Sequence, residues 1–532
     1  MKNLFSATHH QLPFSSMREL VAEQAKRYGE NIYLKTIDDA FPQVTYAQLN
    51  QFVDHLAQHL NAIDIPTHAR IVVLLDNSPL HALLFISLIA CDRLYIPVNP
   101  KSTTSELAAI LDIAKADAII FPESLAQQLP REQSSVIQHL ISISDPVVFF
   151  NRVMSESCST PYQSNAKADD IAEMVFTSGS TGTPKGVLLS HQAILHNSAS
   201  LARRYQLTQQ DHLLTVVPLF HCGGQMFSTL SPLWVGARTS VVNAQVALVR
   251  FWDLVNLLDI TWTILISAFL PVLVSTTNTG TRRMKGILVG GSAVTADITE
   301  AFEEKFQIPT YQVYGMTELA AVCISEPLDR THRTIGSAGT AIDICDVKIM
   351  RTPEEESVYG EQGEIYLTGL NIFSGYYNAL DRTRNIMHGH YIKTGDMGYI
   401  DKGGNLHILD RVDNMFNVCS ENIYPAEIER VCSKLSAIEA VVILPIRNPK
   451  IDNDIVMVYK LRPNQTPDFP QWEALLRKEL SFYKIPRHRL NITDLSVNDW
   501  PLTGSGKISR PAVINLVKEF FARELSPVAE PV

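Results

Sequence analysis

Short apolar runs bounded by turn residues recur through the first two thirds of this chain, with helix-like segments between them. Arg70-Ile-Val-Val-Leu-Leu75 is followed by the apolar stretch Ala82–Cys91, closed by Asp92 and Arg93, and then by Leu94-Tyr-Ile-Pro-Val98. The same rhythm returns at Ala118-Ile-Ile-Phe121, Thr239-Ser-Val-Val242, Thr263-Ile-Leu-Ile266 and Gly286-Ile-Leu-Val289. A strand that is apolar on both sides needs a cover on both faces. Helices placed between such strands provide it, so the pattern predicts an α/β fold of doubly wound parallel sheets. Ala82–Cys91 falls short of the ~18–20 residues that span a bilayer, and reads as a buried helix.

From about Gly363 the texture changes. Glu364-Ile-Tyr-Leu367 and Leu406-His-Ile-Leu409 are shorter strands split by turns such as Gly403-Gly404. After Asp413 come a helix at 425–435, strands near 441–444 and 455–461, and a helix at 471–480. This stretch reads as a small α+β module of roughly 120 residues, an ordinary domain size. Residues 150–168, rich in Ser, Asn and Gln, read as a surface connection. No internal repeat is visible.

Charge and cysteine content exclude several classes. Of 532 residues, 45 are Lys or Arg and 55 are Asp or Glu, a net charge of −10. An acidic chain lacks the positive field that nucleic-acid binding needs. Seven scattered cysteines contain no C-x-x-C pair and no zinc spacing, so reduced thiols in a cytoplasmic protein are expected. The N-terminal MKNLFSATHHQLPF has neither the apolar core nor the cleavage pattern of a signal peptide. No transmembrane segment is expected.

The sharpest local signal is Thr177-Ser-Gly-Ser-Thr-Gly-Thr-Pro-Lys-Gly186, directly after the strand-like Ala172–Phe176. It packs five hydroxyls, three glycines and one lysine into ten residues. Glycines let backbone N–H groups turn toward an anion, while hydroxyls and an ammonium add donors and charge. This chemistry suits a polyphosphate. It is not a Walker loop, because Pro184 stands where that pattern needs its second glycine.

This loop resembles the signature of the adenylate-forming superfamily, which includes acyl-CoA and aryl-CoA synthetases, peptide-synthetase adenylation domains and beetle luciferases. Further motifs follow in the family's order, from Thr45-Tyr-Ala-Gln-Leu49 to Lys507. The resemblance implies that Thr177, Ser178, Gly179, Ser180, Thr181, Gly182 and Lys185 surround the phosphates. Tyr314-Gly315-Met-Thr317-Glu318 resembles the motif in which the aromatic ring stacks on adenine, the threonine meets the α-phosphate side and the glutamate holds Mg²⁺. Gly290-Gly291-Ser292 resembles the segment lining the adenine and acyl pocket. Asp396, in Thr394-Gly-Asp396, matches the carboxylate that binds the ribose hydroxyls, and Arg411 matches the arginine on the nucleotide. Lys507, in a Gly-rich loop near the C-terminus, matches the catalytic lysine. His221, in Val217-Pro-Leu-Phe-His221, matches the residue beside the acyl carboxylate.

By the same resemblance, residues 1–411 form an adenylation domain and residues 414–532 a mobile domain, with a hinge at about 412–413 and Asp413 as its residue. The expected activity is ATP-dependent: a carboxylic acid becomes acyl-AMP with release of pyrophosphate and is then passed to the thiol of CoA. The alternatives are an enzyme that loads a carrier-protein phosphopantetheine, and a nucleotide-binding regulatory protein without ligase activity. No sequence feature favours luciferase-type light chemistry. Cys222-Gly-Gly-Gln225 has no acid where amino-acid-activating members place one, so a fatty, aryl or other non-amino acid is expected. Phe220, Met226, Ala320, Ala321 and Val322 make the presumed pocket mostly apolar. Two positions depart from the pattern near the pantetheine path: Ser420 replaces a usual glycine, and Asn417 stands where several members have lysine.

Overall fold

The structure, a computed structural model, describes residues 11–37, 41–156, 158, 160–178, 184–277, 283–292, 294–418, 421–448, 452–502 and 507–524. The chain divides into two compact units. One comprises Met1–Lys348, Tyr366–Thr394 and Ile400–His407; the other comprises Ile349–Ile365, Gly395–Tyr399 and Ile408–Val532.

The first unit contains two large sheets. In the seven-stranded one, Arg70–Val73 lies between Leu94–Pro97 and Ala118–Pro122, all parallel, and Ile171–Ser178 adds in parallel beside Leu94–Pro97. Pro184–Ser190 and Gly375–Tyr376 then close that edge with antiparallel pairings. The nine-stranded sheet has Gly286–Gly290, Trp262–Ile266, His212–Thr215 and Arg238–Val241 as parallel neighbours at its centre. The apolar runs in the sequence are these central strands. Between Arg70–Val73 and Leu94–Pro97 lies the helix Pro79–Ala90, buried throughout from Leu80 to Ala90. Ser78 caps it by accepting from the His81 N–H at 3.2 Å, and Pro79 opens its first turn.

The connection expected at 150–168 begins later than its composition suggests. Asp145 accepts from the Val147 and Val148 N–H groups at 2.7 and 2.9 Å, starting a helix over Pro146–Met154 that buries Phe149, Phe150 and Val153. Beyond it the chain is tied down: the Tyr162 N–H donates to Asp54 at 2.8 Å, and the Tyr162 hydroxyl to Asp92 at 3.0 Å.

The second unit holds a three-stranded sheet in which Ile438–Asn448 and Asp452–Leu461 are antiparallel and His488–Asn491 adds in parallel. Its residues alternate between two cores. Ile443, Ile455 and Met457 pack with Ile428, Trp472 and Leu476 from the helices Pro425–Cys432 and Phe469–Glu479. Val442, Val456 and Val458 pack with Val513 and Val517 of the helix Arg510–Glu524. Among the described residues no helix is long and apolar enough to cross a membrane.

Candidate active site

The strands flanking the phosphate loop pair antiparallel, with Thr177 opposite Lys185 and Ser178 opposite Pro184. Gly179, Ser180, Thr181 and Gly182 lie outside the described residues. Tyr376, which the sequence did not single out, lies on the next strand, in register with Val187. The Lys185 ammonium sits 5.3 Å from the centre of its ring. The Tyr376 hydroxyl donates to Glu318 Oε1 at 2.6 Å, and the Phe373 N–H donates to the Glu318 carbonyl at 2.8 Å. One buried tyrosine therefore joins two residues assigned to phosphate and metal. Burial first, and then the Glu318 carboxylate, push its phenol well above the usual range, so it remains a hydrogen-bond donor.

Glu318 projects from a tight turn, Thr317–Leu319, that follows the strand Thr310–Tyr314. A Cβ on Gly315 would lie 1.7 Å from the Ala321 carbonyl oxygen, so only glycine fits. Ala320 and Ala321 take φ values of +52° and +122°, a conformation that strains alanine. Asn371 Nδ2 donates to the Leu319 carbonyl at 2.6 Å and Asn197 Nδ2 to the Val322 carbonyl at 2.8 Å. The Cys323 N–H returns to the Tyr314 carbonyl at 3.0 Å. These bonds hold the strained turn and present Glu318 and Thr317 from a fixed base.

The segment Val217–Gly224 carries Phe220 and His221, whose rings lie 4.6 Å apart. His221 is exposed, and Cys222 and Met226 are buried. Beneath it lies an acid that sequence reasoning missed. Glu173, fully buried on Ile171–Ser178, accepts from Gln225 Nε2 at 2.6 Å. Burial pushes its carboxyl up to about 8, which favours the protonated form near neutral pH. The only warning in the sequence was a carboxylate in an otherwise apolar run. Around it, Tyr95 and Cys222 are pushed up, both first by burial. His81, 2.7 Å from the Tyr95 hydroxyl, is pushed down to about 4 by burial.

Gly290 ends its parallel strand, Gly291 follows at φ +85°, and the Ser292 hydroxyl hydrogen-bonds Ser267. Asp396, Arg411, Asp413 and Lys507 belong to the second unit. Arg411 Nη1 meets Asp396 Oδ1 at 2.9 Å. Asp413 is exposed in the turn Val412–Asn414. That turn is tied by Asp410, which accepts from Asn414 Nδ2 at 2.9 Å and from the Ala426 N–H at 2.7 Å. Lys507 is exposed beside the bridge between Leu502 and Ile508, just ahead of the helix Arg510–Glu524. Asn417 lies opposite Asn422 in a short ribbon, while Ser420 lies outside the described residues. Cys91, Cys158, Cys222, Cys323, Cys345 and Cys432 are free thiols.

Comparison with known proteins gives this arrangement a family. The chain is 26% identical to a sulfoacetate–CoA ligase of Cupriavidus necator over 512 residues, covering 94% of this chain and 98% of the relative. It is 27% identical to an indoleacetate–CoA ligase of Aromatoleum aromaticum over 489 residues, with coverages of 90% and 94%. In fold it is similar to an o-succinylbenzoate CoA synthetase from Bacillus subtilis solved with its acyl-adenylate intermediate, at TM-score 0.83, 24% identity and coverages of 93% and 97%. Residues 21–377 match the AMP-binding enzyme family; that stretch is more than half of the sequence, and the chain belongs to this family.

Proposed function

We propose that this protein is an acid–thiol ligase that activates a carboxylic acid with Mg·ATP and transfers the acyl group to CoA. In the first step a carboxylate oxygen attacks the α-phosphorus, the α–β anhydride bond breaks and pyrophosphate leaves. In the second, the CoA sulfur attacks the acyl carbonyl, AMP departs and the thiol proton is released. The observation that carries the reading is Tyr376, which couples the phosphate-loop lysine to the candidate metal carboxylate within one unit.

Such a transfer depends on positioning and on cations where negative charge collects. The reading gives Lys185 and Thr177 to the departing pyrophosphate, Thr317 to the α-phosphate side, Tyr314 to adenine, Asp396 and Arg411 to the ribose and nucleotide, and His221 to the acid. Glu318 would hold Mg²⁺. Among the described residues no cluster of three or more acidic, His or Cys groups could do so alone. One carboxylate sharing the ion with substrate phosphates is the usual Mg²⁺ arrangement, and Glu318 fits it. Bound there, Mg²⁺ neutralises charge on the phosphate oxygens. The small C-terminal module carries Lys507, and we assign Asp413 as its hinge. A fatty, aryl or other non-amino acid is favoured, because Cys222-Gly-Gly-Gln225 offers no acidic residue to an α-ammonium and Glu173 beneath it is fully buried. The free thiols support a cytoplasmic setting.

Pyrophosphate exchange with fatty, aryl and small polar acids, with and without CoA, tests the reading. At least one acid supports exchange and yields a CoA thioester. ATP binding without exchange for any acid would overturn it. Lys507→Ala abolishes exchange while ATP affinity stays nearly intact, and unchanged exchange would remove Lys507 from its role.

A further inference from the structure

Val217–Gly224 is held from beneath by buried side chains that take no part in the reaction as assigned. Both backbone polar groups of Leu219 are engaged. Its N–H donates to Asn77 Oδ1 at 2.8 Å, and its carbonyl accepts from Gln225 Nε2 at 2.7 Å. The same Nε2 donates its second hydrogen to Glu173 Oε1 at 2.6 Å. Asn77 Nδ2 lies 3.1 to 3.3 Å from the carbonyls of Val216, Val217 and Val242. Gln225 stands in a π-helical stretch, Gly224–Leu230, an uncommon geometry that recurs at functional sites. At its first residue, Gly224, a Cβ would lie 2.3 Å from the Val217 carbonyl oxygen, so the close approach of the two segments requires glycine. Glu173 lies on the strand that ends at Thr177 and Ser178.

We propose that Glu173 is a positioning residue: through Gln225 it fixes Leu219, and with it Phe220 and His221, in register with the phosphate loop at the far end of its own strand. The inference rests on reading Val217–Gly224 as the acid-side segment. Bringing a carboxylate into line with the α-phosphorus is a demand on relative position, and a 1 Å misplacement lowers such a rate by roughly 10²-fold. A strand is a stiff spacer for that purpose. Near neutral pH the carboxyl is protonated, so glutamine reproduces its shape and keeps the Oε1 acceptor.

Two measurements on the full-length protein test this. In hydrogen–deuterium exchange, Glu173→Ala and Gln225→Met make the Leu219 and His221 amides exchange at least about tenfold faster, while Glu173→Gln matches the wild type. Amides of the distant strand Gly286–Gly290 exchange equally in all four proteins. In pyrophosphate exchange, the Ala and Met variants lose about 10- to 100-fold in kcat with the KM for ATP within about twofold, and Glu173→Gln restores the rate. Unchanged amide protection in both disruptive variants overturns the inference. So does a KM for ATP that rises in step with the loss of rate. If Glu173→Ala does not fold, Gln225→Met decides alone. A wild type without exchange for any acid overturns the ligase reading instead, and the amide rates still decide the clamp.

Discussion

Glu173→Gln tests the electrostatics of the buried site through stability, independently of any substrate. Burial raises the carboxyl from 4.5 to about 8. Between those values the folded chain keeps a proton that the unfolded chain has lost. The stabilisation from the protonated form is therefore complete below about pH 4.5 and is lost as pH rises toward 8. The slope is about 1.4 kcal/mol per pH unit. Across the window the sum is on the order of 4–5 kcal/mol, an upper bound because partial relaxation around an ionised Glu173 would reduce it. Its neighbours contribute alike to both proteins and drop out of the comparison: Tyr95 and Cys222 are pushed up, and His81, pushed down from 6.5 to about 4, adds a slope below pH 6.5 that the variant shares. Glutamine carries no titrating proton, so the variant lacks the Glu173 slope. Denaturant unfolding at pH 5, 6, 7 and 8 then shows the variant gaining on the wild type at every step, by several kcal/mol in total. Parallel curves across this range would refute the placement of a buried, uncharged carboxyl.

Tyr376→Phe keeps the ring beneath Lys185 but deletes the bond to Glu318; loss of a charge-assisted hydrogen bond of about 1.5–3 kcal/mol lowers the exchange rate roughly 10- to 100-fold and raises the Mg²⁺ needed for half-maximal rate. Gly315→Ala drives a methyl into the Ala321 carbonyl and costs more than about 3 kcal/mol, read as a lower melting temperature and lost ATP binding. Asp396→Asn weakens the contact with Arg411 and removes the proposed ribose acceptor; the KM for ATP rises about tenfold or more, with the KM for the acid unchanged, as steady-state kinetics at saturating co-substrate will show.

The parallel strands were legible because strands covered on both faces need apolar residues at every position, and a continuous run survives without knowledge of neighbours. The second strand of the phosphate-loop pair was harder to see. Pro184 and Lys185 interrupt the apolar pattern, yet proline is tolerated as the first residue of a strand, which is where Pro184 stands. Motif residues such as Lys185 and Glu318 could be singled out because each stands in a short contiguous motif that resembles the family's. Tyr376 could not, since its role depends on a strand pairing with Val187 and a hydrogen bond to Glu318, both far away in sequence. Glu173 left a trace, a lone acid within Ile171–Phe176, but its partner Gln225 comes from another element. Where a residue's function is local the sequence exposes it; where it arises from closure between distant segments, only the packed structure does.

The strand Ile171–Ser178 shows why such closure matters for the chemistry. Glu173 and Thr177 are four residues apart and share a face, which at ~3.3 Å per residue puts them about 13 Å apart. One end governs the segment with His221, and the other opens the phosphate loop. The strand is locked on both sides, to Leu94–Pro97 through Tyr95 and to Pro184–Ser190 through a long register. A flexible connection of that length would let the acid and the phosphate drift independently, and alignment would have to be recovered at each turnover. A paired strand fixes their separation during folding, as sites supported by rigid elements do. The buried carboxyl then has a reason to be where it is: placed at the root of the strand, an acceptor for Gln225 transmits that rigidity to the acid side without adding charge beside the substrate.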